Sequence, residues 1–348
     1  MFRKACLLAA LVAGLFSVAA IASDTPAPMA APGALPDLNA DDYFKGQTPG
    51  TFGKDIRKIL PASKRVAVAG FRMVFITGNQ ATASVDSIYL PGGVEHEAKK
   101  SKLVVTLEGV DNATMQALTD KAYAGFMQQL AAAGREVVPL EQVKPVFDKL
   151  EVSKTSVEEP FEAKSKFGKG RAFTPAGIPL WWLLSDFYGG VSPLNQHNMR
   201  TIPEFSKDIN AFVIAPEIVV SFAKMSSSGH SSGLGGGTPD VGASLAIAVR
   251  EMHTQITHAT ETKMGLMHEG EEGEIHLDKG IAVETPFADL EVTSSKHDKG
   301  WGGVFGGASK NKKTEAAVTD NERYSKVVGP VVNQATGTLA RFFQQHSS

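Results

Sequence analysis

Apolar residues recur along this chain with two periods, and the order in which the periods alternate confines the fold to mixed α and β structure. Val66 and Val68 alternate with small residues, and Phe71, Met73 and Phe75 carry the alternation on, one position out of phase. A period of two marks a strand with a buried face, and the change of phase beside Gly70 predicts a bulge or bend there. A second strand is expected from Ala81 to Leu90, ended by Pro91-Gly92-Gly93. The charged stretch Glu95 to Lys102 reads as a solvated turn, after which Leu103, Val105 and Leu107 restore the same period. The period then changes. Met115, Leu118, Ala122, Phe126 and Leu130 recur at three- and four-residue steps, which places them on one helix face. Asp111 or Asn112 suits the N-cap of that helix, and Gly134 its C-terminal end.

Val137-Val138 reads as a short buried strand, and Val143, Phe147 and Leu150 as a short helix in which Pro145 is tolerable only near the first turn. From Glu151 to Lys207 the pattern is irregular around an apolar knot, Ile178 to Leu184. Trp181 and Trp182 are adjacent and cannot both face one core from a regular element. Either the knot is buried on several sides, or one ring helps to form a partner-binding surface. Phe212, Ile214, Ile218, Val220 and Phe222 alternate within Ala211 to Lys224, as a strand pair or one long bent strand. A Ser/Gly loop is expected from Ser226 to Gly242, then a strand from Leu245 to about His258 and further strands near Glu274 to Val283 and Phe287 to Val292. The Gly/Lys-rich stretch Lys296 to Lys313 reads as a loop. The last element is a helix, with Thr319 and Glu322 as its capping box and Gly329-Pro330 expected to bend or divide it. Its stripe is Tyr324, Val327, Val328, Val331, Val332, Ala335, Leu339 and Phe342. The fold class that follows is α/β (α+β): a mixed sheet flanked by amphipathic helices, with a closing C-terminal helix. A single domain is expected over 61–345, with insertions at 151–207 and 225–242.

The first residues point to export. Arg3 and Lys4 precede an uncharged run, Ala5 to Ala22, whose apolar part is shorter than the roughly 20 residues that cross a bilayer. Ala20-Ile21-Ala22 supplies the small residues of a peptidase site, so 1–22 reads as a secretory signal and the mature chain as periplasmic or secreted. Residues 23–60, with Pro26, Pro28, Pro32 and Pro36, read as a tether. The single cysteine, Cys6, lies at the front of the apolar run, where it can neither carry a lipid anchor nor remain in the mature chain. Loss of Arg3 and Lys4 takes the formal charge from −2 to about −4, a balance that argues against a nucleic-acid partner. Hydrophobic residues make up 43% of the chain, enough for a substantial core.

The order strand, helix ending in Gly, Val-Val strand, short helix, buried strand, closing helix resembles the extracytoplasmic α/β domains of the TolB amino-terminal domain and the curli-assembly lipoprotein family. The resemblance lies in 65–71, 115–150, 211–220, 243–252 and the helix after Tyr324. It implies a scaffolding or assembly protein of the cell envelope without enzymatic activity. The chain departs from the curli-assembly family in lacking a cysteine behind its apolar run and in its two insertions, so membrane anchoring, pore formation and functional residues are not carried over.

Three sets of residues invite a chemical reading. Gly229-His230-Ser231-Ser232-Gly233 matches G-x-S-x-G, with Ser231 as the candidate nucleophile of a secreted hydrolase. That motif needs a strand before the serine and a helix directly after it, whereas Ser/Gly-rich sequence lies on both sides. His253, His258, His268 and His276 cluster with Glu269, Glu271, Glu272 and Glu274, and pairing of strands near 250 and 276 would bring His253, His268 and His276 towards a divalent metal. Their spacing fixes no geometry, and a solvated acidic hairpin explains them as well. Trp301, among glycines, joins Trp181 and Trp182 as an interaction candidate. The expectation is a noncatalytic exported envelope protein that binds a protein partner or itself, with no cofactor, no transmembrane helix and peripheral outer-membrane contact as an option. Expressed in a bacterium with a general secretion pathway, the purified protein should begin at Ser23; an intact Met1 in the exported fraction, read by mass spectrometry, would refute the signal.

Overall fold

The computed structural model describes residues 35, 37–47, 56–86, 88–90, 94–96, 98–181, 195–229, 238–262, 268–298 and 309–347. Contacts divide the chain into Met1–Ala30 and Ala31–Ser348, and every described residue lies in the second unit.

The strand Phe212–Gly229 organises the sheet, and its first twelve residues are all buried. Successive side chains of a strand point to opposite faces, so a strand buried throughout needs a layer on each side. On one face lie the helix Asn112–Ala132 and the closing helix Asn321–Gln345, joined where Gln129 Nε2 donates to the carbonyl and side-chain oxygens of Asn333 at 3.0 and 2.8 Å. Phe71 meets the first of these helices edge-on at Tyr123 and tilted at Phe126. On the other face, the helices Leu140–Phe147 and Asn195–Ile209 cover a second core that includes Ala67, Val143, Val146, Trp181, Ile202 and Val213. The architecture is the expected one, a mixed sheet between amphipathic helices with a closing C-terminal helix.

Among the described residues the main sheet has thirteen strands. From one edge its path runs Phe44–Gln47, His268–Leu277, Pro239–Thr262, Phe212–Gly229, Arg72–Val85, Lys99–Glu108, Ser309–Val318 and Asp289–Asp298. Phe212–Gly229 runs parallel to Arg65–Val68 and to Arg72–Val85, and Ser309–Val318 runs parallel to Lys99–Glu108. The remaining neighbours on this path are antiparallel.

Arg135 ties the layers together. It follows Gly134, which ends the Asn112–Ala132 helix with a φ of +82°. Its guanidinium is buried and donates to the carbonyls of Leu60, Ser63 and Phe343 at 3.1, 2.7 and 2.8 Å. The rings of Phe212 and Phe343 lie within 6 Å of its charge. Burial lowers its pKa to about 10, which leaves it charged at neutral pH. No carboxylate pairs with it among the described residues; the carbonyl dipoles do that work, one of them at the negative end of the closing helix.

Several boundaries differ from the expected ones, each for a local reason. The segment 23–60 is not tether to its end. Phe44–Gln47 pairs with 274–277, and Phe44, Ile56, Ile59 and Leu60 are buried. The phase change at Gly70 is a full break between strands. A Cβ there would stand 3.0 Å from Ala215 and 3.1 Å from Trp181, so the chain breaks where the second core presses on its backbone. Beyond the break, Arg72–Val85 is one continuous strand. The segment 151–207 is partly built into the sheet, because Gly168–Phe173 pairs with the Arg72–Val85 strand and with Phe161–Ser165. The expected Ser/Gly loop is the outer end of a long hairpin, paired out to Gly229 and Pro239. Both lysine-rich stretches, read as a turn and a loop, are strand in their described parts nearest the sheet: Lys99–Lys102, Lys296–Asp298 and Ser309–Lys313. Alternation hid them because their inward positions hold Lys99, Ser101, Asn311 and Lys313 where apolar residues are usual.

Capping follows local chemistry. Asp111 accepts from the Thr114 amide at 2.7 Å, as expected. The closing helix is capped by Asp320, which accepts from the Arg323 amide at 2.8 Å, while the Thr319 hydroxyl donates to the Phe287 carbonyl. Gly329-Pro330 does not divide that helix, and Pro145 lies in the second turn of its own; both prolines are on exposed faces, where the carbonyl each leaves without an amide meets water. No helix among the described residues is long and apolar enough to cross a membrane.

Gly109 joins the strand Lys99–Glu108 to the helix that follows, with a φ of +85°, and a Cβ there would lie 1.9 Å from the Thr319 carbonyl oxygen. Gly109→Ala is expected to lower unfolding free energy by about 2 kcal/mol or more, read as a reduced urea midpoint; an unchanged midpoint would disprove the contact.

Candidate functional site

Ser231 lies outside the described residues, as do Trp182 and Trp301. What is described around Ser231 bears on the hydrolase reading. Gly229 and Pro239 are partners in an antiparallel hairpin. A nucleophile elbow passes from strand to helix, with the helix N-terminus behind the serine. Here the described residues on either side, Gly229 and Pro239, are strand, and the motif's serine lies between them outside the described residues.

The histidine segment is better defined. Strands 239–262 and 268–277 do pair, and their register sets His253 opposite His276. The backbone of His268 pairs with Thr262 at the far end of the same ladder, eight rungs from the His253–His276 pair, so the register separates it from the other two. His258 faces the opposite side of the sheet, packed 4.7 Å from the ring of Phe212.

Around His253 the sheet carries a polar network on the face of the second core. Glu251 and His253 alternate on one strand and Glu274 projects from the next. His253 Nε2 bonds Glu251 at 2.9 Å and its Nδ1 bonds Glu274. Lys166, from the turn of the Phe161–Phe173 hairpin, reaches the same Glu251 oxygen at 2.9 Å. Beside them Arg72 and Glu217, register partners on parallel strands, form a buried ion pair, and Arg72 also donates to the Trp181 carbonyl at 3.0 Å. Burial pulls the His253 pKa down, but hydrogen bonds and charge from Glu251 and Glu274 more than reverse this and raise it to about 9.

That geometry decides the chemistry. A metal ligand needs a neutral imidazole with a free lone pair, and a general base needs a pKa near neutrality. His253 has neither: it is an imidazolium at neutral pH with both ring nitrogens donating to carboxylates. His276 has its Nδ1 buried without a partner, but a single imidazole does not make a site. No group of three or more metal-binding side chains is found among the described residues. The network is an ion cluster with members on four strands of the sheet.

Trp181 is buried in the second core, and its indole donates to the Ala69 carbonyl at 2.9 Å. It therefore offers no ring to a partner, and the burial reading applies to it. A cleft of about 550 Å³ lies between the helices Leu140–Phe147 and Asn195–Ile209, and another of about 490 Å³ beside Asp120 and 172–180. His197 in the first bonds the Lys149 carbonyl at 2.7 Å, and Asp120 in the second accepts from the Ala176 amide at 2.9 Å.

The surface that sequence reasoning passed over is the sheet edge at Asp289–Asp298. Among the described residues it pairs only with Ser309–Val318. Every side chain from Asp289 to His297 is exposed, including Leu290 at 40% and Val292 at 58%. A register shift between Val292 and Ser294 bulges the strand, which leaves 289–292 as its regular open stretch. The opposite edge is also partly open: Phe44–Gln47 covers only 274–277 and leaves the strand from His268 to Gly273, with Glu269, Glu271 and Glu272, without an outer neighbour among the described residues. The signal in the sequence was the alternation of Leu290 and Val292 with Asp289, Glu291 and Thr293, a strand with no buried face.

No family model, no curated protein and no solved structure matches this chain.

The His253 cluster predicts a pH dependence with a definite sign. A histidine raised from its unfolded value of about 6.5 contributes stability fully present below that pH and lost as pH rises through its folded value. Stability should therefore fall between pH 6.5 and about 9.5, by an amount on the order of 3 kcal/mol for a shift to about 9. His253→Gln should remove most of that slope; parallel pH profiles of wild type and variant in chemical unfolding would sink the assignment.

Proposed function

We propose that this chain is a noncatalytic assembly protein that joins other chains, copies of itself foremost, through strand pairing at its open sheet edges. The observation that supports this reading is the Asp289–Asp298 strand, unpaired on its outer side and bearing exposed Leu290 and Val292. An edge strand presents a row of amides and carbonyls ready to pair, and soluble proteins normally blunt it. Here a bulge and Lys296 blunt the second half, and in the first half Asp289 and Glu291 alternate with the exposed Leu290 and Val292. Backbone bonds supply affinity in such pairing and the alternate side chains supply selectivity.

The remainder of the reading comes from the sequence. The apolar run behind Arg3 and Lys4 supports export to the periplasm or beyond, and the resemblance to envelope assembly families supports a scaffold over an enzyme. The two chemical alternatives rest on less than the edge does: Ser231 lies outside the described residues, and His253 is occupied by two carboxylates.

Size-exclusion chromatography with light scattering on the mature protein tests the proposal. Wild type should associate with rising concentration, and Leu290→Lys/Val292→Lys, which changes only exposed side chains, should weaken association at least tenfold while leaving the thermal melt unchanged. A wild type that stays monomeric at every concentration and yields no envelope partner on crosslinking would overturn it.

A further inference from the structure

The two lysine-rich stretches converge in the fold. Lys99–Glu108 and Ser309–Val318 run parallel and side by side, with Lys100 opposite Lys310 and Lys102 opposite Lys312. Asp289–Asp298 then places Lys296 on the far side of Lys312. Register partners share a sheet face, so five lysines from three strands stand on one face. Rows lie about 7 Å apart along the strands and about 5 Å apart between them. Lys100, Lys296, Lys310 and Lys312 are exposed and Lys102 is half-buried.

This face is the outward one. Thr82 and Ser84, opposite Lys102 and Lys100, are exposed, whereas Ala81, Ala83, Ser101 and Leu103 on the reverse are buried. Ser101 also donates to the Pro239 carbonyl at 3.0 Å, because the sheet curls until the Arg72–Val85 and Lys99–Glu108 strands lie over the long hairpin. None of the five lysines has a carboxylate partner among the described residues, whereas Lys313, on the reverse face, pairs with Glu315. Asp298 stands opposite Lys310 in register; the other carboxylates on this face, Asp289, Glu291 and Glu108, lie towards the far ends of their strands, and Asp289 is paired with Arg323. Like charges directly opposite one another on a sheet are destabilising. A row of Lys102, Lys312 and Lys296 therefore costs the free protein stability that an anionic partner would restore.

We infer that this lysine face docks on a lipid surface rich in phosphate-bearing anionic headgroups. Charge complementarity requires an anion, and the shape of the array selects its kind. The array is broad and lies on the outer face of a sheet, and neither of the two clefts is lined by any residue of these strands, so it fits an extended anionic surface and not a small enclosed ion. Among the described residues no aromatic side chain stands among the lysines on this face to stack a nucleobase, as single-stranded nucleic acid would require. The inference stands apart from edge pairing, since it concerns a face and not an edge.

Vesicle co-sedimentation with the mature protein tests this. The protein should bind vesicles with about a third of their phospholipid anionic, should not bind purely zwitterionic vesicles, and should be released by high salt. Each lysine near an anionic surface contributes on the order of fivefold in affinity. Lys102→Gln/Lys296→Gln/Lys312→Gln should thus weaken binding roughly a hundredfold without lowering the thermal melt. The control Lys121→Gln/Lys154→Gln/Lys164→Gln, at exposed lysines elsewhere, should bind as wild type. Equal binding to zwitterionic vesicles, equal losses in the two triple variants, or binding of soluble polyphosphate with no binding of anionic vesicles would each overturn the lipid assignment.

Discussion

The structure depends on a single strand that has no solvent face. From Phe212 to Ala223 every side chain is buried, so the strand has to be roofed twice, and the roofs come from distant parts of the chain. Phe212 meets the layer made by the closing helix and Val213 the layer made by Asn195–Ile209. At roughly 25 cal/mol per Å² of apolar surface removed from water, losing either roof would expose half of the strand's core side chains. Arg135 is the joint of this arrangement. By binding carbonyls at 60, 63 and 343 it fixes the entry of the first strands against the end of the last helix.

Outside that doubly covered centre the sheet becomes thinner and more polar. The long hairpin leaves the core at Lys224, and the strands that neighbour it carry alanine and serine on the inside and lysine or threonine on the outside. The small inner residues let one part of the sheet curl closely over another, as the contact of Ser101 with Pro239 shows. The charged residues that remain divide into two classes. Arg72, Glu217, Glu251, His253 and Glu274 neutralise one another within the sheet, whereas the lysine array and the Asp289–Asp298 edge leave their charge and backbone groups facing outward. The first class stabilises the fold and the second is open to a partner.

Much of the centre was legible in the sequence because its burial is one-sided and periodic. The Asn112–Ala132 helix announced itself by Met115, Leu118, Phe126 and Leu130 and by the punctuation of Asp111 and Gly134. The stripe from Tyr324 to Phe342 did the same for the closing helix. What the sequence concealed was pairing. Lys99–Lys102 and Ser309–Lys313 carry charge where alternation looks for apolar residues, and only their neighbours make them strands. Phe44 and Ile56 were hidden in a stretch whose prolines suggested a tether, since isolated apolar residues have no period. The site residues fared by the same rule: pairing of His253 with His276 follows from a hairpin that could be anticipated, but the capture of both His253 nitrogens by Glu251 and Glu274 depends on side-chain reach across the ladder, which spacing along one strand does not encode.

The position of the closing helix has a consequence for the order of assembly. The helix that shares the roof of the central strand follows every other described element in the chain, and its Phe343 carbonyl holds Arg135. Before that helix docks, the Asn112–Ala132 helix covers the Phe212 and Ile214 side alone. Domains generally fold as units, and here the unit closes only when its last described helix is in place.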